Sequence, residues 1–301
     1  MRLLPVSFLV VAAIPSCKPD FGERESFVDR PVVLAVRMDP PEVTPGAPVT
    51  TSILVASPDG PIAFPPTSWA FCASPKLLSE NGAVSVRCTR GGVAPIGDAR
   101  GGLTAPVPAD ACFLFGPEIQ STELRPRDPD VTGGFYQPIR ATVAAGGDTL
   151  MAFGFARITC KLASIPADAA TIMGRDYAPN RNPSLLPIEV IADGVPREKR
   201  VPRGARVVLR ASWSEGDAES YLMFDVRAQA VVTRRESLRA SWFTTAGSFE
   251  SDRTGRDEME PESFTENVWT APTEARDVYL WVVLRDSRGG TAFASTELTT
   301  E

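Results

Sequence analysis

The chain has 301 residues, with 31 lysines and arginines against 37 acids, a formal net charge of −6, and no histidine. Without histidine, Ser–His and Cys–His hydrolases lack their usual general base, and zinc, copper and iron lose their commonest ligand. The acidic balance lacks the basic footprint that nucleic acid requires, and 28 prolines with 23 glycines, spread without a period, suit short strands joined by turns.

Arg2 precedes an apolar run over residues 3–14, and Ile14-Pro15-Ser16-Cys17 closes it. A basic residue, a short apolar stretch and a small residue before the break make a secretory signal. The run is too short to span a bilayer, for which a helix needs about 20 apolar residues. Its ending resembles the lipobox of bacterial lipoproteins, with Pro15 where a small or β-branched residue is more usual. The resemblance implies removal of residues 1–16 and a diacylglycerol on Cys17, the first mature residue. It also implies an outer-membrane address, because Lys18 stands where the family's inner-membrane retention signal has Asp. Residues 17–30 hold Pro19, Gly22 and several charges and read as a lipidated tether with too little apolar surface to bury.

Beyond the tether the chain repeats itself. Val43-Thr44-Pro45-Gly46-Ala47-Pro48-Val49 returns as Val201-Pro202-Arg203-Gly204-Ala205-Arg206-Val207, a shared V-x-x-G-A-x-V. Each copy runs into a stretch of period two, through Val49, Thr51, Ile53 and Val55 or through Val207, Leu209, Ala211 and Trp213. That is the pattern of a half-buried antiparallel strand. Each later offers a tryptophan in a central strand, Trp69 and Trp242. The repeat predicts two domains, 31–165 and 184–301. Residues 166–183 between them read as a linker that includes a short helical stretch over 167–173.

Within the first domain, residues 73–134 read as a loop-rich insertion. Apart from Cys17 the cysteines are Cys72, Cys88, Cys112 and Cys160, none in C-x-x-C spacing. An even set in an exported chain predicts two disulfides rather than a zinc site, whose ligands come in close pairs. Three pairings are open. Cys72–Cys88 with Cys112–Cys160 is preferred, because Cys72 and Cys88 flank the turn-rich Glu80-Asn81-Gly82. Two apolar runs around Ala145-Gly146-Gly147-Asp148 predict a hairpin, and residues 221–226 with 230–233 predict another.

Residues 277–292 carry a long apolar strand into Asp286-Ser287-Arg288-Gly289-Gly290-Thr291-Ala292. This resembles the penultimate strand and final hairpin of bacterial Ig-like, PKD- and cadherin-type domains. Trp269-Thr270-Ala271-Pro272 looks like the turn leading into that strand, and Ala246-Gly247-Ser248-Phe249 fits the same template. The resemblance implies an all-β fold: two immunoglobulin-like antiparallel β-sandwich domains in tandem, the first with a disulfide-stapled insertion and each with a buried tryptophan. Aligning Asp286 with the family's strand-ending Asp turns Val278, Leu280, Val282 and Leu284 inward. Tyr279, Trp281 and Val283 then face outward, where an adjoining hairpin or arginine stems are expected to cover them. Left open, such a ladder could stack on a sugar or dock a partner.

Chemistry is sparsely supplied. No G-x-S-x-G elbow, P-loop or G-x-G-x-x-G fingerprint occurs. The acids Glu250, Asp252, Asp257, Glu258, Glu260 and Glu262, with Asp217 and Glu219, invite calcium. The run is interleaved with Arg253 and Arg256 and lacks a D-x-D-x-D-G loop, so it reads as solvated. Arg197, Lys199, Arg200, Arg203, Arg206 and Arg210 read as a solvated strand face, with lipid phosphates or an anionic polysaccharide as the sharper alternative. No catalytic, cofactor-binding or metal-ligating residue is singled out, and no cofactor is expected. The expected function is a lipid-anchored cell-envelope protein acting as a non-enzymatic binding or structural module. Its partners would be the membrane and an envelope protein or glycan, not nucleic acid. The alternatives are a carboxylate-based carbohydrate-active enzyme and a subunit of an envelope secretion or assembly complex.

Overall fold

The structure, a computed structural model, describes residues 25–117, 129–160, 165–192, 195–197 and 199–301. Cys17 and its lipobox lie outside the described residues. Two antiparallel sandwiches follow one another along the chain. In the first, Val32–Asp39 and Gly60–Pro61 flank Pro48–Ser57, which also pairs with Thr104–Pro106. The facing sheet runs in the order Glu42–Val43, Asp148–Ile158, Phe135–Ala145, Pro66–Cys72, Val93–Arg100. In the second sandwich one sheet runs Val195–Arg197, Glu189–Ala192, Arg206–Ser212, Phe264–Thr270, Ser248–Phe249. The other runs Arg200–Val201, Thr291–Thr300, Arg276–Asp286, Leu238–Thr244, Arg253–Arg256.

The repeated heptad has the same task in both copies. Its first valine sits in a two-residue strand parallel to the last strand of its sandwich, Val43 opposite Ile158 and Val201 opposite Thr300. Its last valine already belongs to the other sheet. The chain changes sheets in between through Gly46 (φ +86) and Gly204 (φ +69), a region that glycine enters without steric cost. Equivalent hydrogen bonds hold both crossings: Val107 N donates to Ala47 O and Ala271 N to Ala205 O, each at 2.9 Å.

Trp69 and Trp242 are buried in the two cores, and Trp242 Nε1 donates to Thr254 Oγ1 at 2.8 Å. Trp269, expected in a turn, instead lies within the strand Phe264–Thr270 and is fully buried, its indole donating to Ala246 O at 3.2 Å. The predicted hairpins form as Phe135–Ala145 with Asp148–Ile158 and as Ser220–Asp225 with Ala230–Arg235. The first turns through Gly146 and Gly147, both at positive φ, as a two-residue type I′ loop requires.

Inside the stretch read as an insertion, Val93–Arg100 and Thr104–Pro106 are sandwich strands, one in each sheet. The remainder forms loops around two short helices, Val86–Arg90 and Ala111–Phe115. Disulfides tie each helix to the sandwich, Cys72 to Cys88 and Cys112 to Cys160.

Along Arg276–Asp286 the alternation holds, with Val278, Leu280, Val282 and Leu284 in the second core. The cover over the outer face is neither a hairpin nor arginine stems. Trp281 and Val283, both fully buried, pack against Leu34, Ala35, Leu54 and Ala56 of the first sandwich. Val28 completes this third cluster. Its N–H donates to Thr244 O at 2.9 Å while Thr244 N donates to Ser26 O at 2.8 Å. Residues 25–28, expected as free tether, therefore extend the sheet edge of the second sandwich, where Thr244 has backbone groups to satisfy beyond the end of Arg253–Arg256.

Candidate functional site

Among the described residues, a dense network of buried polar groups lies where the two sandwiches meet. The strand Arg276–Asp286 ends at Asp286, whose carboxylate accepts from the N–H groups of Arg288 and Gly290, both at 2.8 Å. A Cβ on Gly290 would fall 2.0 Å from that carboxylate, so the turn admits only glycine there. The turn throws Arg288 inward, where it is 1% exposed. Its Nε donates to Glu236 at 2.6 Å, Nη2 to Glu219 at 2.8 Å and Nη1 to Ala178 O at 3.1 Å. The guanidinium also lies 4.6 Å from the centre of the Tyr221 ring.

A second buried pair faces it from the first sandwich. Arg157 Nε stands 3.4 Å from Glu42, and its Nη1 donates to Thr132 Oγ1 at 2.7 Å and to Tyr136 Oη at 3.2 Å. Tyr136 Oη in turn donates to Arg288 O at 3.1 Å, a direct bond between sandwiches.

Residues 177–182 join the two networks. Tyr177 Oη and Asn180 N both donate to Glu42 at 2.8 Å, and Asn180 Nδ2 donates to Asp286 at 3.2 Å. Asn182 Nδ2 donates to Met38 O at 2.7 Å, while Thr291 N donates to Asn182 Oδ1 at 2.8 Å. Arg181 pairs with Glu219. The stretch expected as a spacer is bonded to both sandwiches, and its helix Ala167–Asp176 packs on the hairpin Ser220–Asp225/Ala230–Arg235.

Burial, and after it the Asp286 charge, pushes Glu236 up to about 7 against the pull of Arg288. Asp286 is raised as well, burial again leading. The folded state therefore keeps a proton on Glu236 that the unfolded chain has already released. The stability this contributes is complete below about pH 4.5, declines as pH rises to about 7 and is level above. Thermal melts across that window should show the decline, and Glu236→Gln should shrink it. An unchanged slope in the variant would locate the titration elsewhere.

Much of the charge flagged in the sequence is spent on pairs. Glu260 and Glu262 both lie 3.7 Å from Arg256, Glu258 lies 3.5 Å from Arg234, and Asp217 accepts from Ser184 N and Ser214 N. Of the basic cluster, Arg200 pairs with Glu301, Arg206 with Glu250 and Arg210 with Glu266. Among the described residues no three of Cys, Asp or Glu converge to hold a metal, and no helix is long and apolar enough to cross a membrane. Shallow depressions indent the surface of the described residues. One of about 220 Å³ is bordered by Ile172, Asp176, Tyr221 and Thr233, and one of about 500 Å³ lies over Thr67, Asp98 and Thr142.

No family model matches the chain, and no curated protein does. Among solved structures, the fibronectin(III)-like modules of CbhA from Clostridium thermocellum are similar at 12% identity. They match over 88% of this chain and 93% of theirs, with a TM-score of 0.23. A lipoprotein from Bacteroides thetaiotaomicron matches at 15% identity over 43% of this chain and 89% of its own, TM-score 0.25. The adhesin InvE from Yersinia pseudotuberculosis matches at 11% identity over 86% of this chain and 56% of its own, TM-score 0.25. This chain thus spans little more than half of that adhesin. Superpositions this loose add nothing to the architecture already read from the strand order.

Proposed function

We propose that the protein is a lipid-anchored envelope module, two sandwiches held as one rigid body, that binds or braces rather than catalyses. The observation that supports this reading is the use of its buried carboxylates. Glu42 and Glu236 are enclosed and bonded to Arg157 and Arg288, and Asp286 is consumed by two backbone N–H groups and Asn180. A glycosidase pair must instead face an open cleft wide enough for a sugar and, in inverting enzymes, for a water. Arginine-filled acids serve the junction between sandwiches. The anchor reading rests on the signal ending at Cys17, with outer-membrane placement implied by Lys18.

Metabolic labelling with an alkyne fatty acid should mark the wild-type chain and not Cys17→Ala, and the variant should leave the membrane fraction. Label retained by the variant would defeat the anchor. Hydrolysis of peptidoglycan or polysaccharide by the purified protein, lost in Glu236→Gln with the fold intact, would favour the enzyme instead.

A further inference from the structure

One cationic face of the second sandwich is only partly neutralised from within the chain. In the register of Leu238–Thr244 against Arg276–Asp286, Arg239 stands directly opposite Arg285. Ser241, two residues along the same face, stands opposite Arg253 on the other side. Residues two apart on a strand share a face, so the three arginines lie together on the outer surface of one sheet. Like charges directly opposite one another destabilise a strand pair. Among the described residues no carboxylate pairs with Arg239 or Arg285. Arg285 donates to Leu34 O at 3.3 Å, and Arg253 meets Glu25 at 3.0 Å with both side chains exposed. Further along, the same face is closed by the first sandwich over Trp281 and Val283. The arginine end is what remains open. Within the cluster flagged in the sequence, by contrast, Arg200, Arg206 and Arg210 have acidic partners.

The chain itself brings this face to one place. Glu25, in contact with Arg253, is the eighth residue after Cys17. Eight trans peptide units reach at most about 29 Å, whatever path they take. An acyl chain on Cys17 therefore holds the arginine face close to the bilayer from which it hangs. Anionic headgroups attract arginines near the surface, by about fivefold in affinity each, within a Debye length of roughly 8–10 Å.

We infer that the sheet face bearing Arg239, Arg253 and Arg285 docks on the phosphate headgroups of an anionic bilayer. Its closeness to the membrane rests on the lipid-anchor reading above. The face sets the orientation of the tethered body on the bilayer.

The test uses the full chain carrying Cys17→Ala, which has no acyl group. It is sedimented with vesicles of phosphatidylcholine alone or with one part phosphatidylglycerol to two of phosphatidylcholine. Any contribution of residues 1–16 is common to all variants. Binding should favour the anionic vesicles and fall in high salt. Arg239→Gln with Arg285→Gln should weaken it by about 25-fold, two fivefold steps. Arg206→Gln with Arg210→Gln, at paired positions, should leave it unchanged. Arg239→Gln alone, at an exposed site with no partner to lose, should cost about fivefold and covers the case in which the double variant misfolds. Equal binding to both vesicle types, or undiminished binding by Arg239→Gln, would overturn the proposal. Failure of fatty-acid labelling at Cys17 would remove the anchor and leave this measurement standing.

Discussion

Arg288→Ala should destabilise the protein by about 3–5 kcal/mol, the range for removing one partner of a buried ion pair. Arg288 is 1% exposed, and Glu236 beneath it is fully enclosed. Truncation leaves Glu236 and Glu219 close together with no cation between them, strips the donor from Ala178 O and uncovers the Tyr221 ring. Glu236, already pushed up to about 7, would take a proton to limit the damage, so the loss should shrink in acid. Arg288→Lys should recover only part, because one ammonium cannot reproduce a planar fork that reaches two carboxylates and a carbonyl. Urea denaturation gives the readout, as a lower midpoint at unchanged slope. A loss under about 1 kcal/mol, typical of an exposed pair, would show that water enters the junction.

Trp281→Ala should cost a similar amount, about 3–5 kcal/mol for a buried aromatic, and Tyr279→Ala far less. Both side chains leave the same face of the same strand, 6.2 Å apart between ring centres. Trp281 is fully enclosed between the sandwiches, whereas Tyr279 is only half-buried. The ring of Trp281 belongs to neither sandwich core but to the cluster shared between them. Its removal should therefore do more than lower stability. Calorimetry should show a broader, less cooperative transition in the variant than in the wild type, because each core keeps its own tryptophans while the largest side chain of the apolar cluster between them is gone. Equal losses from the two substitutions would mean that the first sandwich does not cover Trp281 more closely than Tyr279.

How much of this was readable in advance follows from which properties are local. Alternation is local. Val278, Leu280, Val282 and Leu284 announce an inward face, and the structure places all four in the second core. The V-x-x-G-A-x-V repeat is local too, because a chain that changes sheets within seven residues needs a positive φ that Gly46 and Gly204 supply. The Gly146-Gly147 hairpin follows from the same rule. The acids and arginines carried no such signal. Glu236 and Glu219 lie 52 and 69 residues from the arginine they hold, and in the sequence each resembles any solvated charge. Asp286 was legible as the end of a strand. Its contact with Asn180, 106 residues away, was not, and residues 177–182 therefore read as a spacer.

By itself, then, the sequence determined two tandem sandwiches, their hairpins and the inward faces of their strands. Those features depend on periodicity and turn residues, each written within a few positions. Only the tertiary structure decided that Trp281 and Val283 meet the first sandwich and not water, and that Arg288 and Arg157 are buried. It alone also placed residues 25–28 and 177–182 as straps between the two bodies. An outward-facing apolar residue or a lone charge has the same sequence pattern whether solvent or protein covers it, and the cover comes from surfaces that meet only after both sandwiches have folded.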